Sequence, residues 1–220
     1  MSVSAIIVAA GNGTRMGAGK NKVFLELFGK TILEHTVSVF EGCASVSEII
    51  VVTKEIDDAK KVLSGYKKVK DVVPGGSTRG ESVKNGLLAA SGVVACIHDG
   101  ARALILPEDV ERVVAAAKEF GAAALGVKCK DTLKQADEKG FISGTLDREY
   151  VYNIQTPQVF GMAAIREMYE ECNEAFTDDC ALAEKYGQPV KIVDGSYDNI
   201  KITTPDDLEL AEKILEKRGK

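Results

Sequence analysis

A short apolar run, Val3–Ala9, passes directly into a glycine-crowded loop, Ala9-Ala10-Gly11-Asn12-Gly13-Thr14-Arg15-Met16-Gly17. This junction constrains the fold more than any other stretch of the chain. An apolar run of that length, closed by glycines, is expected to be a buried strand feeding a loop. Comparable runs predict strands at Glu48–Thr53, Val69–Val73, Gly92–His98, Ala122–Val127 and Val190–Val193. Helical spacing or capping signals predict helices at Ile32–Phe40, Ile56–Leu63, Ser82–Ser91, Pro107–Phe120, Met162–Cys172, Asp179–Tyr186 and Pro205–Glu216. The helix from Pro107 has the clearest bounds, a proline with two acids at its start and Gly121 at its end. Strands alternating with helices at this spacing predict a doubly wound, mostly parallel α/β sheet, with ligands at the carboxyl ends of its strands. The alternation breaks at about 128–152, where Lys139-Gly140 and Ser143-Gly144 are turn signals between short pieces at Asp131–Gln135 and Phe141–Leu146. This stretch is expected to protrude as a β-arm, either a dimerising element or a plain surface hairpin.

Composition narrows the class. A chain of 220 residues suits one domain, or one domain with a small appendage, and has room for a full core. No segment approaches the roughly 20 apolar residues of a membrane helix, and the uncharged start lacks the basic flank of a signal peptide. With 28 basic and 33 acidic residues the net charge is −5, which argues against nucleic acid as a partner. An anionic ligand must then be held by a local cluster of cations. Five cysteines without C-x-x-C spacing and two distant histidines point away from disulfides and zinc, and toward a reducing cytoplasm.

The first loop lacks the third glycine of the dinucleotide fingerprint and the Gly-Lys-Ser/Thr ending of a P-loop. It carries Arg15, with Lys20 and Lys22 close behind; loop amides and three cations suit a triphosphate whose charge is neutralised during reaction. A second loop, Gly75-Gly76-Ser77-Thr78-Arg79, repeats the theme of glycines after a strand, then an arginine. Ser82 could meet a base or ribose, although a lone serine there is more readily a helix cap. Asp99, closing the strand that ends at His98, is placed for Mg²⁺ or a ribose hydroxyl. His98 itself is expected to be a satisfied core residue. Lys201 precedes the last helix and could equally lie on the solvent face of a strand.

Taken together, Ala9–Gly17, Lys22, Gly75–Arg79, Ser82–Leu87, His98–Arg102, Asp131-Thr132, Asp147-Arg148, Thr156-Pro157-Gln158, Thr177-Asp178 and Asn199–Pro205 resemble the 2-C-methyl-D-erythritol 4-phosphate cytidylyltransferase family in order and spacing, from residue 3 to about 212. The resemblance implies a Rossmann-like fold, cytidylyl transfer from CTP to methylerythritol phosphate in isoprenoid precursor synthesis, a Mg²⁺ requirement, and a homodimer with exchanged arms. It further implies that Arg15, Lys22 and Lys201 stabilise the reacting α-phosphate. Ala9, Ala10, Gly11 and Gly13 would line the triphosphate and base, with Gly76, Ser77 and Ser82 on the cytosine side. Asp99 would contact nucleotide or metal. Arg102, Thr132, Arg148 and Thr177 would hold the acceptor, Thr132 and Arg148 reaching it from the partner's arm.

Three departures stand out. Asn21-Lys22-Val23 replaces the family's usual Pro-Lys-Gln, which predicts a less rigid segment and makes Lys20 a competitor for the role of Lys22. Ala103 replaces a proline after Arg102, and Ser77 stands where an acid is common. The rival readings are a ribitol 5-phosphate cytidylyltransferase, an enzyme using UTP or GTP on a sugar phosphate, and a non-catalytic nucleotide-binding regulator.

Overall fold

The computed structural model describes residues 1–11 and 21–219. Among them, seven strands form one sheet in the order β11-β7-β10-β6-β1-β4-β5. The strands are β1 (Val3–Val8), β4 (Val46–Thr53), β5 (Val69–Pro74), β6 (Val94–Asp99), β7 (Ala122–Lys128), β10 (Tyr152–Gly161) and β11 (Lys191–Asp194). The pairs β1–β4, β1–β6, β4–β5 and β7–β11 are parallel. The mostly parallel, doubly wound sheet expected from the alternation is therefore present.

Strand periodicity explains the layering. In β1, Val3, Ala5 and Ile7 pack on one face with Leu33, Val37 and Phe40 of α1 (Ile32–Gly42) and with Val110, Val113 and Val114 of α4 (Pro107–Phe120). The alternate residue Ile6, with Ile50 and Val52 of β4, packs on the other face with Val83 and Leu87 of α3 (Arg79–Ala89) and Ile165 and Met168 of α5 (Met162–Glu171). Helix α2 (Ile56–Val62) joins the first face through Ala59, and α6 (Asp179–Lys185) joins the second through Leu182 and Ala183. Each fully buried aliphatic side chain contributes roughly 1.5–3 kcal/mol. A one-residue slip of β1 would exchange the two faces, so its register is strongly fixed. Helix α3 comes so close to the sheet that a Cβ on Gly86 would stand 2.5 Å from Ile6 Cγ2. A third cluster, built on Leu104, Ile202 and Leu215, seats α7 (Pro205–Lys217).

Two features depart from the expected plan. Strand β10 is antiparallel to both β6 and β7 and sits between them. Its text contains Pro157, and proline speaks against a central strand. The ladder with β7 accordingly breaks between Ile154 and Gln158, around the cis Thr156-Pro157 bond. A small antiparallel pair, β2 (Glu26–Leu27) and β3 (Lys30–Thr31), was also unexpected, its strands being too short to show a period. The arm at 128–152 does form a separate hairpin, β8 (Lys134–Ala136) paired with β9 (Ile142–Thr145).

Candidate active site

The chain runs from β1 outward through β4 and β5, then returns through α3 to place β6 on the other side of β1. The order reverses at the β1/β6 junction, and in such sheets the crevice beyond that junction is the ligand site. Backbone bonds close its floor: Ala9 N donates to Val52 O at 2.7 Å, Gly100 N to Val8 O at 2.8 Å, and Gly75 N to Thr53 O at 2.9 Å. A cavity of about 370 Å³ opens above them.

The start of the first glycine loop, Ala9–Gly11, meets the second on one wall. A Cβ on Gly75 would collide with the Ala10 side chain, so glycine alone permits this approach. Behind it, the Gly76 amide donates to Ser82 Oγ at 3.0 Å, and that hydroxyl donates to Thr78 O at 2.9 Å. Helix α3 starts three residues before Ser82, and its cap is Thr78, whose Oγ1 accepts from Glu81 N at 3.1 Å. The expectation that Ser82 caps a helix is therefore corrected. Ser82 is buried in the first helical turn and braces the Gly76 loop at the cavity wall. Ser77 does keep a carboxylate beside it, because its amide and hydroxyl both donate to Glu81 Oε2 at 2.6 Å.

Asp99 forms the centre of the opposite wall. Its carboxylate lies 2.8 Å from Lys201 Nζ, 3.6 Å from Arg79 Nε and 3.6 Å from Arg102 Nε. Burial alone would raise the Asp99 pKa, but Lys201, Arg79 and Arg102 outweigh it and hold the carboxyl well below the ordinary range. Lys201 does not lie on a strand, which corrects the solvent-face alternative; backbone bonds pin its segment instead. Ile202 N donates to Ala101 O at 2.9 Å, and the fully buried Asn199 donates to Thr156 O at 3.0 Å. Arg102 stands behind Asp99 and donates to Asn199 O at 2.7 Å. Asp207, closing a capping box with Thr204, anchors the start of α7. Its pKa falls to about 2, as hydrogen bonds from Thr203 and Thr204 overcome the opposing effect of burial. His98 is the core residue expected: fully buried, with Nδ1 3.0 Å from Thr156 Oγ1 and Nε2 3.2 Å from Arg102 O.

Lys22 lines the same cavity, and its position is set by the residue before it. Asn21 is buried, and its Nδ2 donates to Ala9 O at 2.8 Å and to Glu55 Oε2 at 3.0 Å. Its Oδ1 caps the short 3-10 turn Lys22–Phe24. The looseness expected from the missing proline is thus corrected, since side-chain bonds fix what a pyrrolidine ring would. Ala103 likewise sits buried in the third cluster. Ala9, Ala10, Gly11, Gly76, Ser82, Asp99, Lys22 and Lys201 all line the cavity. Gly13, Arg15 and Lys20 lie outside the described residues.

Other expected residues are not brought to the cavity within one chain. Thr132 and Arg148 are exposed on the arm, where Arg148 Nη1 donates to Lys130 O at 3.4 Å. Thr177 is exposed just before α6, beside a second cavity of about 410 Å³ that shares Thr78 and Arg79 with the first. Sequence reasoning gave no site role to Lys54 or Arg79, yet both line the first cavity. The available signal was position, since Lys54 follows the carboxyl end of β4 and Arg79 opens α3. The described lining residues thus include four cations, Lys22, Lys54, Arg79 and Lys201, and one carboxylate, Asp99. Such a wall suits a polyanion whose charge grows during reaction.

Comparison with known proteins fits this chemistry. The family model for 2-C-methyl-D-erythritol 4-phosphate cytidylyltransferase matches residues 3–217. A protein of that name from Pelotomaculum thermopropionicum is 42% identical, over 98% of this chain and 95% of its own length. One from Clostridium botulinum (strain Langeland) is 44% identical, over 97% of each. The crystal structure of 4-diphosphocytidyl-2C-methyl-D-erythritol synthase from Anaerococcus prevotii superposes with a TM-score of 0.88 at 34% identity, covering 97% of this chain and 96% of that one. The chain belongs to the 2-C-methyl-D-erythritol 4-phosphate cytidylyltransferase family.

Proposed function

We propose that this chain transfers CMP from CTP to 2-C-methyl-D-erythritol 4-phosphate, giving the CDP-linked alcohol and pyrophosphate in isoprenoid precursor synthesis. The observation that carries this reading is the cation-lined crevice in which Lys201 Nζ and Asp99 meet at 2.8 Å. An acceptor phosphate oxygen attacks the α-phosphorus, the bond to the bridging oxygen breaks, and pyrophosphate departs with the bonding pair. Such transfers depend on positioning and charge neutralisation rather than covalent help. Lys22 and Lys201, which both line the cavity, stabilise the α-phosphate, with Arg15 as the third cation. The glycine loops hold the nucleotide, and Arg102, Thr132, Arg148 and Thr177 hold the acceptor.

Mg²⁺ is the proposed cofactor. Asp99 is the sole carboxylate among the described lining residues, and no group of three metal-liganding side chains occurs among the described residues. An ion held by Asp99 would therefore draw its remaining ligands from phosphates and water, the manner in which Mg²⁺ binds nucleotides. Bound there, it would neutralise the triphosphate and orient the leaving group.

The proposed assembly is a homodimer of one-domain subunits (residues 1–220), in which each arm supplies Thr132 and Arg148 to the partner's site. Support comes from apolar exposure on the arm, where Phe141 is 70%, Ile142 68% and Tyr150 82% accessible. The five free thiols favour a reducing cytoplasm, and no helix among the described residues is long and apolar enough to cross a membrane.

The test supplies the protein with Mg²⁺, methylerythritol phosphate and each nucleoside triphosphate in turn. Pyrophosphate is expected with CTP. Equal release from UTP or GTP, or release independent of the acceptor, contradicts the reading.

A further inference from the structure

One cation of the crevice wall has a second partner that the reaction as described does not use. Arg79 directs Nε toward Asp99 at 3.6 Å, while its Nη2 binds Asp179 Oδ2 at 2.8 Å. Asp179 has no exposed side-chain surface. Its other oxygen accepts from the Tyr169 hydroxyl. Asp179 opens α6, two residues after Thr177. The same helix end is tied to β10, since Gln158 Oε1 accepts from the amides of Asp179 and Cys180 at 3.0 and 3.1 Å. Gln158 Nε2 also donates to Asp178 Oδ2 at 2.8 Å. Three side chains thus hold the segment, with Tyr169 bonding Asp179 from α5. Gln158 ties it to the sheet, and Arg79 ties it to the loop after β5 that forms the crevice wall.

A buried carboxylate needs a charged, hydrogen-bonded partner, and breaking such a pair is strongly destabilising. An arginine used only for that purpose could sit anywhere around Asp179. This one lines both cavities and spans two carboxylates with different edges of one planar group, which a lysine cannot do. Three cations, Arg79, Arg102 and Lys201, contact the two carboxylates Asp99 and Asp179, so this cluster carries one net positive charge.

We infer that Arg79 is a positioning residue that couples the nucleotide crevice to the Thr177–Asp179 segment, so that a nucleotide in the crevice also fixes the segment assigned to the acceptor. This rests on the proposed reaction in assigning Thr177 to the acceptor. A triphosphate adds negative charge on the Asp99 side of the guanidinium and restrains it, and the restrained fork holds Asp179. Arg79 need not touch the reacting atoms to act in this way.

Hydrogen exchange across residues 177–182, with and without CTP, tests the coupling in the whole protein. CTP is expected to slow exchange there about tenfold in the wild type and less than about twofold in Arg79→Lys, which keeps the charge but loses the span. Arg79→Lys should also raise the KM for methylerythritol phosphate about tenfold at saturating CTP, while CTP affinity of the acceptor-free protein stays within about threefold. Tyr169→Phe, which removes one bond to Asp179 from outside the crevice, should shift the acceptor KM in the same direction by about threefold, and it secures the test should Arg79→Lys fail to fold. Equal slowing by CTP in wild type and Arg79→Lys, no slowing in the wild type, or an equal loss of CTP affinity in acceptor-free Arg79→Lys would overturn the coupling. Absence of wild-type turnover with methylerythritol phosphate would overturn the proposed reaction, while the exchange comparison still decides the role of Arg79.

Discussion

Lys22 owes its usefulness to Asn21. The sequence placed a cation after a glycine loop, and the buried amide beside it fixes the backbone from which that cation reaches the crevice. Lys22→Ala should lower kcat at least about a hundredfold, the scale of losing one transition-state donor, with an unchanged circular dichroism spectrum. If Lys20→Ala has that effect and Lys22→Ala does not, the assignment shifts by two positions. His98 carries a different prediction. Burial lowers its pKa from 6.5 to about 4, so the unfolded chain binds more protons between those values. The neutral imidazole therefore supports the fold fully above pH 6.5, and that support is lost as pH falls toward 4. The full loss amounts to about 3 kcal/mol. Thermal unfolding followed from pH 7 to 4.5 should show the midpoint fall, and His98→Gln should flatten that fall. Asp99 and Lys201 were legible because each stands in a distinctive run beside a strand end or a helix start. Lys54 and the double engagement of Arg79 were not, because their meaning depends on Asp99 and Asp179, which are distant in the chain.

At the level of elements, the parallel strands were legible because each is a short apolar run ended by a turn signal. Strand β10 was hidden because its proline argues against a central position, and the ladder admits it only by breaking between Ile154 and Gln158. That irregularity serves the site, for Thr156 O accepts from Asn199, the residue that steadies Lys201 from two positions away. The arm was legible as an interruption in the alternation, although its purpose was not, since Thr132 and Arg148 stay away from the cavity of their own chain. Arg148→Ala is expected to raise the KM for the acceptor much more than that for CTP. Mixed with Lys22→Ala subunits, it should regain activity through hybrid dimers, up to about a quarter of the wild-type level for random pairing. A mixture no more active than its two components would contradict arm exchange.

For the molecule as a whole, the fold and the reaction meet at one topological feature. The chain leaves β1 in one direction and comes back to β6 on its other side, so two glycine loops and the Asp99 strand end open onto a single crevice. Lys201 enters that crevice from the segment before α7. The glycine loops read phosphates and cannot select an acceptor. Under the proposed reaction, selection falls to Arg102, Thr177 and the arm residues Thr132 and Arg148, which makes acceptor identity the most direct test of the central claim. The protein should be given CTP, Mg²⁺ and equal concentrations of 2-C-methyl-D-erythritol 4-phosphate and D-ribitol 5-phosphate, and the CDP-linked products quantified by mass spectrometry. The account predicts that the methylerythritol product dominates; equal amounts, or an excess of the ribitol product, would contradict it.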